Sequence, residues 1–153
     1  MSQVIIRTAT PHDLPTLLQF EQGVISAERP FDCTLGKGEI RYYDLEMMIT
    51  APHIQLLVAE LDGQLIGSGY ARIEDAKPYL EHAQHAYLGF MFTRPEHRGK
   101  GINQKIIEAL TEWSASKGLA ELRLDVYHEN VSAIKAYEKV GFVRHMIAMR
   151  KGV

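Results

Sequence analysis

The chain has 153 residues, 46% of them hydrophobic and 24% charged, with a formal net charge of −2. These values predict a single globular domain over residues 1–153 and argue against nucleic acid or an anionic membrane as a partner. The single cysteine, Cys33, excludes an internal disulfide and a CxxC metal site. Since the N-terminus lacks signal-peptide features and no window holds about 18 apolar residues, we expect a cytoplasmic protein.

The hydrophobic periodicity predicts an α/β domain with the element order β-α-α-β-β-β-α-β-α-β. Two local signals support this order. Thr10 and Pro11 fit the cap and the first position of a helix, and Asp62-Gly63 favours a tight β-hairpin. The predicted elements are strand 4–9, a helix from residue 10, helix 42–50, strands 54–60, 65–73 and 86–93, helix 102–117, strand 122–127, helix 130–140 and strand 142–149.

A short basic, glycine-containing segment, Arg98-Gly99-Lys100-Gly101, lies between a predicted strand and a predicted helix. The first turn of a helix leaves N–H groups unpaired and attracts anions, and glycines let backbone amides approach a phosphate closely. A Walker A loop does not fit, because Arg94 occupies the position of its first glycine, and the dinucleotide fingerprint fails at Gln104. A plain turn with a solvated basic rim stays open as an alternative.

A second segment, residues 130–142, combines several features of a short capped helix. Asn130 is a suitable N-cap, Ala133 and Tyr137 share a face at spacing i, i+4, and Gly141 fits the end of the helix. Taken alone, this pattern indicates no more than an amphipathic helix.

The two segments together carry a family resemblance. Arg98-x-x-Gly101-x-Asn103 resembles the Q/R-x-x-G-x-G/A signature of the GNAT superfamily of N-acetyltransferases, with Asn103 in place of the final small residue. Residues 130–142 are similar to the family's N-x-x-A-x-x-x-Y-x-x-x-G-F segment, and the resemblance extends over essentially the whole chain. It implies the GNAT fold, a single mixed, mostly antiparallel sheet, and transfer of an acetyl group from acetyl-CoA to an amine without a metal.

The resemblance also implies roles for individual residues. Backbone amides at a bulge would polarise the acetyl carbonyl, Asn130 and Ala133 would contact or accommodate the pantetheine arm, and Tyr137 would be the general acid. A phenol of pKa near 10 can protonate a thiolate whose thiol pKa is about 8.5. The implied bulge residues are Met91, Phe92 and Thr93, and the implied pyrophosphate-binding residues are Arg98, Gly99, Lys100, Gly101, Ile102, Asn103 and Gln104.

The acceptor side is less defined. Many relatives place a glutamate near the position of Tyr87, but residues 86–90 contain no carboxylate, so His85 is the candidate base. Glu81, His82, Asp125 and His128 are further side chains near this strand. Without a strong base an α-amine is the easier acceptor, because its deprotonation at pH 7 costs about 1.4 kcal/mol against about 4.6 kcal/mol for an ε-amine.

Residues 28–46 are the candidate acceptor wall, with Arg29, Tyr43 and Glu46 as candidate contacts. Their mixed charges suit a zwitterionic or polar amine, such as an amino acid or a peptide terminus, although a solvated mobile loop would have the same composition. A non-catalytic acyl-CoA-binding module with the GNAT fold is the alternative function. Homodimers are common for such domains, but no sequence feature demonstrates one here. Nucleic-acid binding through Arg94 and its basic neighbours is disfavoured by the net charge.

Overall fold

The structure, a computed structural model, describes residues 3–153, so that Met1 and Ser2 lie outside the described range. The strands are β1 Ile5–Thr8, β2 Ile54–Leu61, β3 Gln64–Asp75, β4 Gln84–Thr93 and β5 Leu122–Arg123. The α-helices are α1 Leu14–Glu28, α2 Leu45–Thr50, α3 Ile102–Ser116 and α4 Val131–Lys139. Short 3-10 turns at Pro11–Asp13, Arg29–Phe31 and Pro95–His97 precede α1, follow α1 and follow β4.

The strands form one sheet in the order β1-β2-β3-β4-β5. The first four are antiparallel, whereas β5 runs parallel to β4 through only two residue pairs, Ala86 with Leu122 and Tyr87 with Arg123. Helix α3 is the crossover that parallel pairing requires. Because pairing stops after Tyr87, the second half of β4 has no strand beside it on that edge, and a cleft opens there.

Helices cover both faces of the sheet, and each face has its own core. Leu17 and Phe20 of α1, with Leu45 and Met48 of α2, pack on one face. The other face is covered chiefly by Ile102, Ile106, Ile107 and Leu110 of α3, and Tyr137 and Val140 of α4 join the edge of this cluster. The α/β fold class and the mixed, mostly antiparallel sheet are therefore confirmed.

Several predicted element boundaries are confirmed, one helix start is corrected, and the predicted strand 122–127 is shorter than expected, since β5 ends at Arg123. Asp62 (φ 52°) and Gly63 (φ 78°) both have positive φ, which is the geometry of a tight hairpin between β2 and β3. Helix α2 begins at Leu45 rather than at residue 42. The fully buried Glu21 carboxylate accepts hydrogen bonds from the Tyr42 and Tyr43 N–H groups at 2.7 Å each, which keeps these two residues out of the helix.

The predicted final strand, residues 142–149, is wrong. Residues 142–149 form no strand, and among the described residues no backbone hydrogen bond involves positions 143–153. A strand exists only when a neighbouring strand pairs with it. The alternating sequence is present, but the described residues give this segment no backbone hydrogen-bond partner.

Candidate active site

The loop between β4 and α3 presents unpaired backbone donors to the cleft. Gly99 (φ 76°) and Gly101 (φ 80°) adopt the left-handed conformation that favours glycine. No side chain caps α3, and its first backbone hydrogen bond runs from the Lys105 N–H to the Gly101 carbonyl at 3.1 Å. The N–H groups of residues 102–104 are therefore available to an anion, as the sequence predicts.

Helix α4 closes this anion site from the opposite side. A cavity of about 250 Å³ lies between the loop and α4. Its walls include most of the predicted pyrophosphate-binding residues, together with Thr93 of β4 and, from α4, Ala136, Lys139 and Val140. Lys139 was not predicted, although a basic residue in the last turn of α4 is visible in the sequence. Arg98 is exposed and its Nε donates to the Thr93 carbonyl at 3.1 Å, so that it braces the loop.

The bulge in β4 lies slightly earlier than predicted. Phe90 has a φ of 55°, and the β3–β4 register shifts so that Phe90 and Met91 lie opposite Gly69. The Ser68 hydroxyl donates to the Phe90 carbonyl at 2.9 Å, and a Cβ on Gly69 would lie 2.6 Å from the Met91 sulfur. The bulge thus depends on small partners in β3, a cross-strand property that the sequence of β4 alone does not contain.

The other predicted bulge residues have separate environments. The Phe92 ring packs against Phe20 of α1 with centroids 4.6 Å apart, in space left by Gly23. The half-buried Thr93 accepts the hydrogen bond from Arg98 described above. These two residues therefore connect the bulge to α1 and to the anion-binding loop.

Tyr137 lies on α4 at the edge of the cleft. Its ring packs edge-on against Phe142 at 5.9 Å, and burial raises the pKa of its phenol to about 12, with a smaller contribution from the Glu28 carboxylate. Among the described residues, none forms a hydrogen bond with its hydroxyl. A phenol with this pKa is protonated at neutral pH and available as a donor. The Asn130 side chain accepts from the Ala133 N–H at 3.3 Å, so it caps α4.

Glu28, the last residue of α1, is the central ionisable group of the acceptor side. Burial raises the pKa of its carboxyl, and the nearby Asp32 carboxylate adds to the rise. The Tyr42 hydroxyl lies beside it and lowers this pKa, yet that buried hydroxyl has no well-aligned hydrogen bond. The Glu28 charge also raises the pKa values of Tyr43, Tyr127 and Tyr137. The Glu28 carboxyl group is therefore within electrostatic reach of three phenols that come from separate parts of the chain.

Asp32 and Tyr127 join the end of α1 to the segment that follows β5. The Tyr127 hydroxyl donates to Asp32 Oδ2 at 2.6 Å, and the Phe31 and Tyr127 rings stack at 6.2 Å. Hydrogen bonds from Thr34 and Tyr127 lower the pKa of Asp32 to about 2. This carboxylate therefore stays ionised at every physiological pH.

Aromatic side chains line the floor of the cleft on the α1 face. Tyr43 packs against Tyr70 at 5.8 Å and against Phe90 at 4.9 Å. The Phe90 backbone N–H interacts with the Tyr43 hydroxyl, which places this predicted acceptor residue at the bulge. The Arg72 guanidinium lies over the Tyr70 ring at 5.5 Å and the Tyr87 ring at 5.4 Å.

Three sequence candidates lie elsewhere or have structural partners. His85 is buried, with Nε2 3.5 Å from Glu74 and its ring 5.5 Å from His82. His85 lies four residues before Gly89, which directly precedes the bulge. This spacing corresponds to roughly 13 Å along an extended strand, so His85 is distant from the bulge. Arg29 Nη1 donates to the Gly36 carbonyl at 2.9 Å and so holds the loop after α1, and Glu46 is exposed on α2. The structure brings Tyr43 to the cleft and gives the other three different surroundings.

Two carboxylates on α1 were not singled out from the sequence: Glu21, and Glu28, which is the first residue of the predicted acceptor wall 28–46. Glu21 is fully buried and binds Arg41 Nε at 2.6 Å as well as the Tyr42 and Tyr43 amides. Both glutamates occur at the apolar spacing of α1, in line with Leu17 and Ile25. A glutamate within an apolar stripe needs a buried partner or a function, so this signal was available in the sequence.

In the region covered by the coordinates, residues 3–153, no helix is long and apolar enough to span a membrane. The same residues contain no cluster of three or more His, Cys, Asp or Glu side chains arranged to hold a metal ion.

A helix start with unpaired N–H groups, a bulge in the preceding strand and a phenol without a hydrogen-bond partner among the described residues fit one class, an acyltransferase domain that uses a phosphate-bearing thioester. The model of the acetyltransferase (GNAT) family matches residues 25–142. The chain therefore belongs to the acetyltransferase (GNAT) family. The predicted family, the N-acetyltransferase class and acetyl-CoA as co-substrate are confirmed at this level.

Two curated relatives illustrate the range of similarity. YobR of Bacillus subtilis, described as an uncharacterized N-acetyltransferase, is 45% identical over 47 residues, which cover 31% of this chain and 19% of YobR. Aminoglycoside N(6')-acetyltransferase type 1 of Salmonella typhimurium is 29% identical over 100 residues, which cover 65% of this chain and 69% of that enzyme. The chain thus matches about a fifth of YobR and about two thirds of the Salmonella enzyme.

Solved structures share the fold over nearly the whole chain. A mutant of the BH1408 protein from Bacillus halodurans superposes with a TM-score of 0.88 at 18% identity, covering 97% of this chain and 99% of that one. Aminoglycoside N-acetyltransferase AAC(6')-Iy in complex with CoA gives a TM-score of 0.73 at 26% identity, covering 99% of this chain and 96% of that one.

Proposed function

We propose that this enzyme transfers the acetyl group of acetyl-CoA to a primary amine on a small molecule that carries additional positive charge. The observation that carries the proposal is the buried Tyr137 phenol on α4, whose hydroxyl forms no hydrogen bond with any described residue and whose raised pKa includes a contribution from the Glu28 carboxylate. One group accepts a proton while the other donates one, as amine attack on a thioester requires.

The donor half of the site would hold acetyl-CoA by its phosphates. The unpaired N–H groups at the start of α3 and the Lys139 side chain meet in the cavity that faces α4. The bulge at Phe90 would direct a backbone N–H towards the acetyl carbonyl, where the negative charge develops. Because Tyr43 interacts with this N–H, we expect the incoming carbonyl to replace the tyrosine hydroxyl.

The reaction then needs two proton transfers. The neutral amine attacks the acetyl carbon, a C–N bond forms, and the C–S bond breaks. The amine proton moves to the Glu28 carboxylate, directly or through one water, and the Tyr137 hydroxyl protonates the departing thiolate. The proton held by Glu28 can return to the tyrosinate, so the enzyme regains its starting state and the products are an N-acetyl amine and CoA.

Charge and aromatic surface favour a cationic acceptor. Asp32 stays ionised beside Tyr127, and Asp125 accepts a hydrogen bond from the Tyr87 hydroxyl at 3.1 Å. Carboxylates attract ammonium groups, and tyrosine faces add cation–π attraction of about 0.5–2 kcal/mol. The Salmonella relative, named as an aminoglycoside N(6')-acetyltransferase, supports an acceptor with several amines. The zwitterionic amino acid favoured by the sequence gains less, because its carboxylate would meet these acids.

Acceptor-dependent release of CoA thiol from acetyl-CoA tests the proposal directly. The panel should contain an aminoglycoside, an aliphatic diamine, lysine, a neutral amino-acid amide and an acidic dipeptide. We expect kcat/KM to rise with the positive charge of the acceptor and to fall as ionic strength increases. An acidic or uncharged amine as the best substrate would contradict the acceptor class. No thiol release with any amine would contradict catalysis itself.

A further inference from the structure

A polar cavity lies between the start of α1, the β2–β3 hairpin and the residues that follow β4, and it is called the Arg94 cavity here. Its volume of about 520 Å³ falls within the range of roughly 300–1,000 Å³ that is typical of small-molecule sites. It shares no lining residue with the cavity between the glycine loop and α4. Since all of its lining residues except Gly63 and Leu65 have polar or charged side chains, its ligand is expected to be small and polar.

One wall of the Arg94 cavity is an ion-paired cluster around Arg7 of β1. Its guanidinium donates to both carboxylate oxygens of Asp13, at 2.8 and 2.9 Å, and to Glu60 Oε1 at 3.1 Å. Arg7 thereby lowers the pKa of the buried Asp13 carboxyl, which keeps this carboxylate ionised. Because two carboxylates share one guanidinium, this wall carries one surplus negative charge.

Arg94 forms the opposite wall, and the two terminal nitrogens of its guanidinium are open. Its Nε donates to the Leu65 carbonyl at 2.7 Å, and the guanidinium lies over the Phe20 ring at 5.0 Å. These contacts fix the side chain, while among residues 3–153 no acceptor is bonded to Nη1 or Nη2. A fixed guanidinium with both terminal nitrogens open is suited to bidentate binding of a carboxylate.

Glu96 supplies the complementary charge on the same side of the cavity. It is exposed, and no basic side chain in the described part of the chain forms an ion pair with it. Arg94 and Glu96 therefore line one cavity with opposite charges and do not pair with each other. A lone anion would meet the surplus negative charge of the Arg7 wall, and a lone cation would leave Arg94 open. A ligand with both charges satisfies both groups.

We propose that the Arg94 cavity binds a small zwitterion of the α-amino-acid class and that this ligand tightens the binding of acetyl-CoA. The ligand carboxylate binds Nη1 and Nη2 of Arg94. Its ammonium group binds Glu96, and the surplus charge of the Arg7 wall adds to the attraction. No bond of the ligand is formed or broken, so it acts as an effector and not as a substrate.

Two sets of contacts link Arg94 to the donor half of the active site. The Arg94 carbonyl accepts the His97 N–H at 2.9 Å, in the turn that leads into the loop between β4 and α3. On the other side, the Phe20 ring beneath the guanidinium packs against Phe92 of β4 at 4.6 Å. A ligand that immobilises Arg94 restrains the chain directly before that loop. Less conformational freedom is then lost when acetyl-CoA binds, so its affinity increases.

Calorimetric titration of the wild-type enzyme tests the site without any reaction. L-Serine and L-glutamine carry both charged groups, whereas acetate and methylamine carry one each. We expect at least one of the two amino acids to bind at one site per chain, about tenfold or more tightly than acetate or methylamine. Acetate binding as tight as that of the amino acids would overturn the zwitterion in favour of a simple anion site. No binding of either amino acid up to about 10 mM would overturn the site itself.

Two variants locate the bound amino acid. Glu96→Gln removes the unpaired carboxylate, and Arg94→Lys keeps the charge but loses the planar pair of donors, so each should weaken binding about tenfold or more. Glu112→Gln, at an exposed glutamate of α3, is the matched control and should bind as the wild type does. Because Arg94 also supports Leu65 and Phe20, the exposed Glu96 decides the outcome if Arg94→Lys does not fold.

Glu28→Gln distinguishes the Arg94 cavity from the acceptor half of the cleft. Binding of the amino acid should be unchanged in this variant. Binding that is lost in Glu28→Gln and kept in Glu96→Gln would place the amino acid at the acceptor position and overturn the proposal. These titrations need no turnover, so their failure is separate from a failure of the proposed acetyl transfer.

The effector role is measured by the Kd of acetyl-CoA with and without a saturating amino acid. We expect this Kd to fall about fivefold in the wild type and to stay constant in Glu96→Gln. Linkage requires that acetyl-CoA tightens the amino acid by the same factor, which the reciprocal titration checks. An acetyl-CoA Kd that the amino acid leaves unchanged or increases would overturn the effector role.

Discussion

The donor half and the acceptor half of the cleft are built in different ways. The donor half consists of β4, the glycine loop and the start of α3, which are continuous in sequence, with α4 as the opposite wall. The acceptor half is assembled from side chains far apart in the chain, as in the bond from Tyr127 to Asp32, 95 residues away. In the proposed function, backbone amides would bind the donor, whereas carboxylates and phenols would surround the acceptor. Proteins that share a co-substrate can bind it with the same backbone motif. The side chains around the acceptor can differ from one such protein to the next.

The largest effect is expected where the two halves meet. Tyr137→Phe removes the proton donor and keeps the ring packed on Phe142, so kcat should fall by about 10²–10⁴-fold. The Kd of acetyl-CoA, measured by calorimetry, should change by less than about threefold, which is worth under 1 kcal/mol. Tyr79→Phe, at a tyrosine that is 81% exposed, is the control. A wild-type kcat would show that another group protonates the thiolate.

The pH dependence of Tyr137 follows from its raised pKa. Burial raises the pKa of the phenol to about 12, so the acid form persists up to that pH and the phenol causes no alkaline loss of kcat below it. A fall in kcat around pH 9–10 that disappears in Tyr137→Phe would contradict the burial of this hydroxyl.

The acceptor half should depend on one buried carboxylate for its shape. Glu21→Ala leaves the Tyr42 and Tyr43 amides and Arg41 without their shared acceptor, which should lower the free energy of unfolding by about 3–5 kcal/mol. In the folded fraction, acetyl-CoA should still bind, whereas the KM of the acceptor should rise because Tyr43 loses its position. Urea unfolding and both constants are measured beside Glu112→Ala, an exposed glutamate of α3. A free energy of unfolding unchanged from wild type would be the contrary result.

The donor half should respond to backbone strain alone. Gly101→Ala forces an alanine into φ 80°, a conformation that costs an L-residue roughly 1–2 kcal/mol. We expect the Kd of acetyl-CoA to increase by about 5–30-fold, since part of this cost falls on the phosphate-binding conformation. Gly118→Ala imposes the same strain at φ 78° after α3, away from the cavity, and should change stability but not affinity. Equal affinity losses in both variants would contradict a direct role of the loop.

The smallest effect is expected for an exposed charge. Arg98→Ala removes a solvent-exposed guanidinium that braces Thr93, so the Kd of acetyl-CoA should rise by only about two- to fivefold, less at high salt. Titrations at two ionic strengths check this. A loss as large as that of Gly101→Ala would mean that side-chain charge, rather than backbone geometry, dominates donor binding.

The sequence was sufficient for those parts that depend on local chain geometry. The left-handed Gly99 and Gly101 and the Asn130-capped helix follow from residue type and spacing, and the Asp62-Gly63 hairpin follows from its turn chemistry. The position of the bulge was missed because Gly69 and Ser68 of the neighbouring strand determine it. The register between two strands is a tertiary property, and no spacing rule within β4 contains it.

Other features were missed for a different reason. Glu21 and Glu28 stood within the apolar stripe of α1, but helical spacing alone does not say which loop will supply partners for a buried acid. The final strand, residues 142–149, was predicted wrongly, because the structure contains no strand there. The alternating pattern shows which side chains are apolar, whereas a strand also needs a neighbouring strand to pair with. The described residues give this segment no such partner.

Glu28→Gln is the variant that tests the central claim most directly, because it changes the acceptor half by one oxygen-to-nitrogen replacement. Since burial raises the pKa of Glu28, the base form is present above that raised value, and wild-type kcat/KM should fall as pH drops through it. At neutral pH we expect kcat/KM for a cationic amine to fall about 100-fold in Glu28→Gln, with this acidic limb lost and the Kd of acetyl-CoA unchanged. An unaltered kcat/KM, or a parallel loss of acetyl-CoA affinity, would contradict the separation of the two halves.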